Sequence, residues 1–282
     1  MIIREIRNFS LSQIADSGQC FRMNRLDSGA YRIIAFGKYL ETMDLGDGRF
    51  QFSCSSDEYQ KIWSEYFDLH TDYLDIGSLI PPDDAFLTAA IRFGRGMRIL
   101  RQDPWETTVS FIISQRKSIP AIKTAIENLC RNFGTPMECN GNQYFAFPSA
   151  EQIACLNTGD IARCSLGYRD KYVAAAAQKA AGGGLNFSAL LQADEETART
   201  KLKSLYGIGD KVANCILLFG LHKMNAFPED TWINRIIASE YGGSFPKDRY
   251  AGYLGIIQQY MFYYGRSLEY LQAAPLNIIS NT

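Results

Sequence analysis

The sequence predicts an α+β protein in which a small amino-terminal antiparallel-sheet domain, residues 1–100, packs on an all-helical domain, residues 101–282. Three observations carry this expectation. β-Branched and aromatic runs separated by glycines fill the first fifty-odd residues. Near Ser56 the apolar period changes to that of a helix. After Asp103-Pro104, helical patterns follow one another with glycines or prolines between several of them.

In the first domain, Tyr31-Arg32-Ile33-Ile34-Ala35-Phe36 and Arg49-Phe50-Gln51-Phe52-Ser53-Cys54 read as strands. Gly37 and Gly46-Asp47-Gly48 supply turns, so an antiparallel meander is expected. Behind Asp57 as cap, Tyr59, Ile62, Trp63 and Tyr66 share one helical face, and Pro81-Pro82-Asp83-Asp84 opens a further helix with Phe86, Leu87 and Ile91 inward. In the second domain, helices are expected over residues 105–114, 119–133, 150–156, 168–181, 195–205, 211–221, 231–241 and 249–263.

No apolar run is long enough to span a bilayer, and the first residues lack the pattern of a secretory leader. Seven scattered cysteines, an odd number, suit reduced thiols, so a cytoplasmic protein is expected. No C-x2-C spacing occurs, which excludes the usual zinc-ribbon and iron–sulfur patterns and leaves no metal expected. The net charge of −1 does not announce a nucleic-acid partner, but its distribution is uneven. Eleven acids between Leu40 and Ala90 stand against Arg49 and Lys61, whereas residues 91–101 hold four arginines and no acid, and residues 161–223 hold nine Lys/Arg against five acids. One part would repel a phosphate backbone while another could hold it.

Residues 205–215, Leu-Tyr-Gly-Ile-Gly-Asp-Lys-Val-Ala-Asn-Cys, are the most informative. A helix capped by Asp194 ends at Gly207, which can take a left-handed cap; Gly209 permits a close bend, and Asp210 is expected to cap the next helix. Backbone N–H groups in so tight a turn can bind an anion without side-chain charge. Lys211 then lies in a first helical turn, where a lysine opposes the dipole, with Cys215 on the same face four residues on. Further along, Asp230 immediately precedes another helix as its cap.

Residues 205–215 followed by Pro228…Asp230 resemble the helix-hairpin-helix DNA glycosylase signature, in which a G-x-G-x-K hairpin precedes a catalytic aspartate. A lysine at the position of Lys211 marks the glycosylase/lyases. Ser17-Gly18-Gln19-Cys20-Phe21-Arg22, Asp103-Pro104-Trp105-Glu106 with Phe111-Ile112-Ile113-Ser114, Gly167-Tyr168-Arg169-Asp170-Lys171-Tyr172-Val173, Asn214-Cys215 and Gln258…Phe262 narrow the resemblance to the 8-oxoguanine DNA glycosylases, over residues 12–265 or so. Arg116-Lys117-Ser118 stands where the eukaryotic members have asparagines, Ala121 where they have an arginine and Trp232 where a histidine is expected, which suggests a divergent bacterial member.

The resemblance implies a helix-hairpin-helix glycosylase domain, acting as a monomer on duplex DNA with an oxidised purine, nucleoid-associated and without cofactor. It implies that Lys211 attacks C1′ and that Asp230 stabilises the positive charge on the sugar. Gly18, Cys215, Gln258 and Phe262 would hold the flipped base. Gly207, Gly209, Tyr168, Arg169, Arg116 and Lys117 would meet the DNA, Tyr168 as a wedge and Arg169 facing the orphaned partner base. Two alternatives stay open: the same chemistry on another oxidised base, and a non-catalytic hairpin that only grips DNA.

Overall fold

The computed structural model describes residues 1–73 and 75–267; residues 268–282, assigned above to the helical domain, lie outside the described residues. The amino-terminal sheet has five strands: β1 (Ile2–Glu5), β2 (Met23–Arg25), β3 (Tyr31–Ala35), β4 (Lys38–Asp44) and β5 (Arg49–Phe52). Their order is β1-β5-β4-β3-β2 and every pairing is antiparallel. The turn between β3 and β4 needs only Phe36 and Gly37, both at positive φ (54° and 66°), the two-residue geometry that matches strand twist. Ile33, Leu40, Phe50 and Phe52 face inward onto Phe9, Trp63 and Phe67.

The helical turn that follows is capped by Ser55, whose Oγ accepts from Glu58 N at 3.1 Å. Asp57, the expected cap, sits inside the first turn and pairs with Lys61. Asp84 and Asp103 do cap their helices, accepting from Leu87 N and Glu106 N at 2.8 Å each. The second half is not wholly helical. β6 (Pro136–Cys139) and β7 (Asn142–Phe145) form a hairpin through Asn140-Gly141, at φ 52° and 72°. Asn-Gly readily adopts that turn, and it interrupts the helical run for this reason.

Buried residues form two clusters. The smaller lies under the sheet, and the larger gathers the helices together with Phe21 and residues between Tyr73 and Ile99. The two halves meet at Asp68, whose carboxylate accepts from Tyr73, Thr71 and Arg101 at 2.8, 3.0 and 2.8 Å and lies 3.4 Å from His222. Burial alone would raise its pKa, but His222, Tyr73 and Arg101 outweigh burial and hold the carboxyl well below the usual range. No described helix is long and apolar enough to cross a membrane.

Two helices lie deepest. Asp210–Phe219 buries Val212, Ala213 and 215–219, and Leu254–Gly265 is buried along most of its length. They touch where Gly255 meets Leu218, so closely that a Cβ on Gly255 would lie 2.2 Å from Leu218 Cδ1 and 3.1 Å from Ala226 O. Gly255→Ala should therefore destabilise the protein by about 1–3 kcal/mol through overpacking, against a helix-propensity gain of about 1 kcal/mol. Chemical denaturation checks this; an unchanged or raised midpoint would contradict it.

Candidate active site

Lys211 is the second residue of the Asp210–Phe219 helix. The preceding Glu195–Lys203 helix is capped by Asp194, as expected, through Thr197 N at 2.8 Å. Leu202, Leu205, Ile208 and Val212 are buried, which fixes the turn to the core and leaves its tip outside. Gly207 has φ 84°, and a Cβ there would lie 2.4 Å from the ring of Tyr172. Both observations require glycine. Gly209, at φ −96°, is the N-cap; Asp210 is the first helical residue and instead pairs its carboxylate with Lys203 Nζ at 2.5 Å. Asp210 lacks the capping role because its backbone is already helical.

Asp230 caps the Thr231–Glu240 helix, its Oδ1 accepting from Ile233 N at 2.9 Å, which holds the carboxylate in one orientation. Lys211 and Asp230 border one small pocket together with Ser17, Gly18, Phe111, Cys215, Phe219, Pro228, Gln258, Gln259 and Phe262. The two candidate catalytic residues and all four candidate base-binding residues thus meet. Lys211 Nζ lies 5.6 Å from the centre of the Phe111 ring. Burial pushes the Cys215 thiol up from its ordinary value, while Lys211 beside it pulls the other way, so a neutral thiol faces the amine.

Gln258 is buried, and its Nε2 donates to Pro228 O at 2.9 Å, which fixes the amide. Its Oε1 is buried with no protein partner. A buried acceptor left unpaired costs about 1–3 kcal/mol, which a bound donor would recover. Gly18, at φ 77°, packs against Phe262; a Cβ would come within 3.3 Å of its ring. The Gly18 turn is held by the buried Gln19, which bonds Ser17 Oγ, Arg98 O and Leu100 N, and by Gln259, whose Nε2 donates to Ser17 O at 2.7 Å. The sequence does not single out Gln259 as a site residue, although the Gln258-Gln259 doublet is an available signal, and it offers Phe111 only as part of a motif and not as a pocket residue. The cavity is about 40 Å³, room for little beyond water, and the Arg266 guanidinium lies 5.0 Å from the centre of the Phe262 ring at its border.

The residues expected at the DNA form a second group. Tyr168 is 50% exposed and belongs to a short 3₁₀ turn, Gly167–Arg169, that precedes the Asp170–Ala181 helix. Arg116 is exposed at φ 48°. Arg169 is buried: its guanidinium donates to Gln115 O at 2.7 Å, Leu166 O at 3.0 Å and Arg116 O at 3.3 Å. Lys117 donates to Ser165 O at 2.7 Å, and burial together with nearby Arg169 lowers its pKa. In this state Arg169 and Lys117 tie two loops together rather than stand free.

Known proteins share this fold. Residues 1–108 match the model of the 8-oxoguanine DNA glycosylase N-terminal domain, and residues 109–248 match that of the HhH-GPD superfamily of base excision DNA repair proteins. A solved structure of MBOgg1 with a low-affinity DNA ligand superposes with a TM-score of 0.89 at 38% identity, covering 94% of each chain. The chain belongs to the 8-oxoguanine DNA glycosylase family. The Clostridium acetobutylicum 8-oxoguanine glycosylase/lyase, solved with double-stranded DNA containing cytosine opposite 8-oxoG, is 35% identical with a TM-score of 0.88, over 94% of this chain and 98% of that one. The Saccharomyces cerevisiae N-glycosylase/DNA lyase is 35% identical over 174 residues, 57% of this chain and 46% of the yeast protein.

The two hairpin glycines should separate fold from DNA contact. Gly207→Ala should cost about 1–2 kcal/mol from the left-handed backbone alone, with the Tyr172 clash in addition. A Cβ on Gly209 meets nothing within 4 Å. Gly209→Ala should then cost only the ~0.5–1 kcal/mol by which glycine is the better N-cap, less than Gly207→Ala, and weaken duplex DNA binding, read by fluorescence anisotropy. Undiminished binding by Gly209→Ala would show that no phosphate approaches this turn.

Proposed function

We propose that this chain is a bifunctional DNA glycosylase/lyase that removes 8-oxoguanine from duplex DNA through a covalent Lys211 intermediate, acting as a nucleoid-associated monomer. The observation that supports this best is the meeting of Lys211 and Asp230 at one pocket with a buried, unpaired amide oxygen of Gln258. The first two suit chemistry at a sugar; the third suits a base.

Extruding a base from the stack costs roughly a few kcal/mol, offset by what the pocket supplies. With Gln258 Nε2 fixed on Pro228 O, Oε1 presents an acceptor. A guanine-type edge offers N1–H and N2–H donors to it, whereas adenine offers an acceptor at N1. Phe262 supplies a stacking face, and a backbone carbonyl of the Gly18 turn, which borders the same pocket, accepts the N7–H that 8-oxoguanine has and guanine lacks. The neutral Lys211 amine attacks C1′ as the glycosidic bond breaks, its electron pair leaving with the base, which is then protonated. The Asp230 carboxylate stabilises the positive charge that develops on the sugar. Loss of the amine proton and ring opening give an iminium between Nζ and C1′. Removal of a C2′ proton then expels the 3′ phosphate and cuts the strand.

Opposite-base recognition follows from the second group. With Ala121 in place of an arginine and Arg169 bonded to three carbonyls, Arg116 is the exposed cation there. Single-turnover excision of 8-oxoguanine should therefore favour cytosine over adenine opposite by less than one good bidentate contact, ~1–3 kcal/mol. A larger preference would contradict this.

A panel of duplexes holding 8-oxoguanine, formamidopyrimidine, oxidised pyrimidines and guanine tests the substrate. 8-Oxoguanine should be released fastest and guanine not at all. Phe262→Ala should slow release by the worth of a stacking partner, ~1–3 kcal/mol. Gln258→Ala should weaken lesion binding without making guanine a substrate. An oxidised pyrimidine released faster than 8-oxoguanine would replace the substrate, and wild-type rates in both variants would move the pocket elsewhere.

A further inference from the structure

Three segments of the candidate DNA-facing surface are joined in a closed ring of contacts, and three of its members, Gln115, Tyr172 and Tyr206, have no role assigned above. Gln115 ends the Pro104–Ser114 helix as its C-cap. Its side-chain Nε2 donates to Gly207 O at 3.1 Å, in the hairpin turn four residues before Lys211. Its backbone carbonyl accepts from Arg169 Nε at 2.7 Å. The Arg169 guanidinium lies 4.4 Å from the centre of the Tyr168 ring. Tyr168 meets Tyr172 edge to face at 5.8 Å, and Tyr172 meets Tyr206 edge to face at 4.8 Å. Tyr172 also presses on Gly207 so tightly that no Cβ fits between them, which closes the ring.

The loops in this ring carry strain. Arg116 and Ser165 are both non-glycine residues in the left-handed region, at φ 48° and 62°, and Lys117 and Arg169 bond across the gap between the two loops. Such backbone persists only where surrounding contacts over-determine it. Tyr206 and Tyr168, at opposite ends of the aromatic ladder, are 64% and 50% exposed. The ladder is therefore packed from inside and open at the ends that could meet DNA.

We propose that Gln115 and Tyr172 are positioning residues that couple the seating of the hairpin on the phosphate backbone to the entry of Tyr168 beside the flipped base. Gln115 holds the hairpin turn by its amide and the Tyr168 loop by its carbonyl, while Tyr172 fills the space between them. Because the hairpin also begins the helix that carries Lys211, the amine and the wedge keep a fixed separation. This inference rests on the glycosylase reading given above. It makes extrusion of a base, rather than chemistry at an already extruded sugar, the step that depends on the ring.

The test compares wild type with Gln115→Met, which keeps the shape and loses the donor, and with Tyr172→Leu and Tyr172→Phe. Each is measured for single-turnover excision of 8-oxoguanine, cleavage of a preformed abasic site, and fluorescence of 2-aminopurine placed beside the lesion. Gln115→Met and Tyr172→Leu should slow excision by about tenfold or more, as misplaced groups do. Cleavage of the abasic site, which has no base to unstack, should stay within about twofold of wild type. The 2-aminopurine rise should fall in parallel with excision, and Tyr172→Phe should behave as wild type. Equal slowing of both reactions, or no slowing in either variant with the melting temperature unchanged, would overturn the coupling. Wild type that unstacks the lesion duplex without excising the base, while Gln115→Met fails to unstack it, would overturn the substrate assignment and uphold the ring.

Discussion

The helix Leu254–Gly265 lies against Leu218 and the Ala226 carbonyl at a distance that only a glycine at 255 allows. That approach sets the geometry of everything at the pocket. Leu218 belongs to the helix that begins with Lys211, and Ala226 to the segment that runs into Pro228 and Asp230. Gln258 and Phe262 follow one and two turns after Gly255. A gap of even one methyl group at Gly255 would move the amide that bonds Pro228 relative to the lysine and aspartate that border the same pocket. The protein interior is packed densely enough that this displacement would not be absorbed locally.

A chain of net charge −1 can hold DNA if its contacts are local rather than summed. The hairpin offers backbone N–H groups and a helix start. The basic residues nearby are partly committed already: Arg169 and Lys117 are bonded to carbonyls across two strained loops. Their charge still contributes to the local field, but their first effect is to set the shape of the surface that carries Tyr168 and Arg116. Acid–base balance at the pocket is similarly spare. Burial raises the pKa of the Cys215 thiol and keeps it neutral beside Lys211.

Much of the site was legible in the sequence because it depends on local chemistry. Gly207 needs a positive φ, Asp230 and Asp194 cap helices, and Gln258 and Phe262 are four residues apart on one helix; each follows from residue type and spacing. What escaped depends on distant partners or on a signal passed over. The pairing of β1 with β5 joins residues nearly fifty apart, and Ile2–Glu5 is too short to show a period. The Asn140-Gly141 hairpin was readable but lay inside an apparently helical stretch. Asp210 looked like a cap because acids often are, whereas Gly209 takes that place. Arg169 looked available to DNA, and only the fold shows its guanidinium among three carbonyls. Gln115 carried no motif, since it acts on a backbone carbonyl far along the chain, and the doublet that offered Gln259 does not reveal its bond to Ser17 O.

The proposed covalent step is the part on which the chemistry turns. Wild-type protein and a Lys211→Gln variant can be incubated with a duplex holding 8-oxoguanine in the presence of borohydride, and the trapped adduct digested and mapped by mass spectrometry. The reduced sugar should be found on Lys211 in the wild type, and the variant should give no adduct while still binding the lesion duplex. An adduct of equal yield from Lys211→Gln, or one mapped to another amine, would contradict the assignment of Lys211 as the nucleophile.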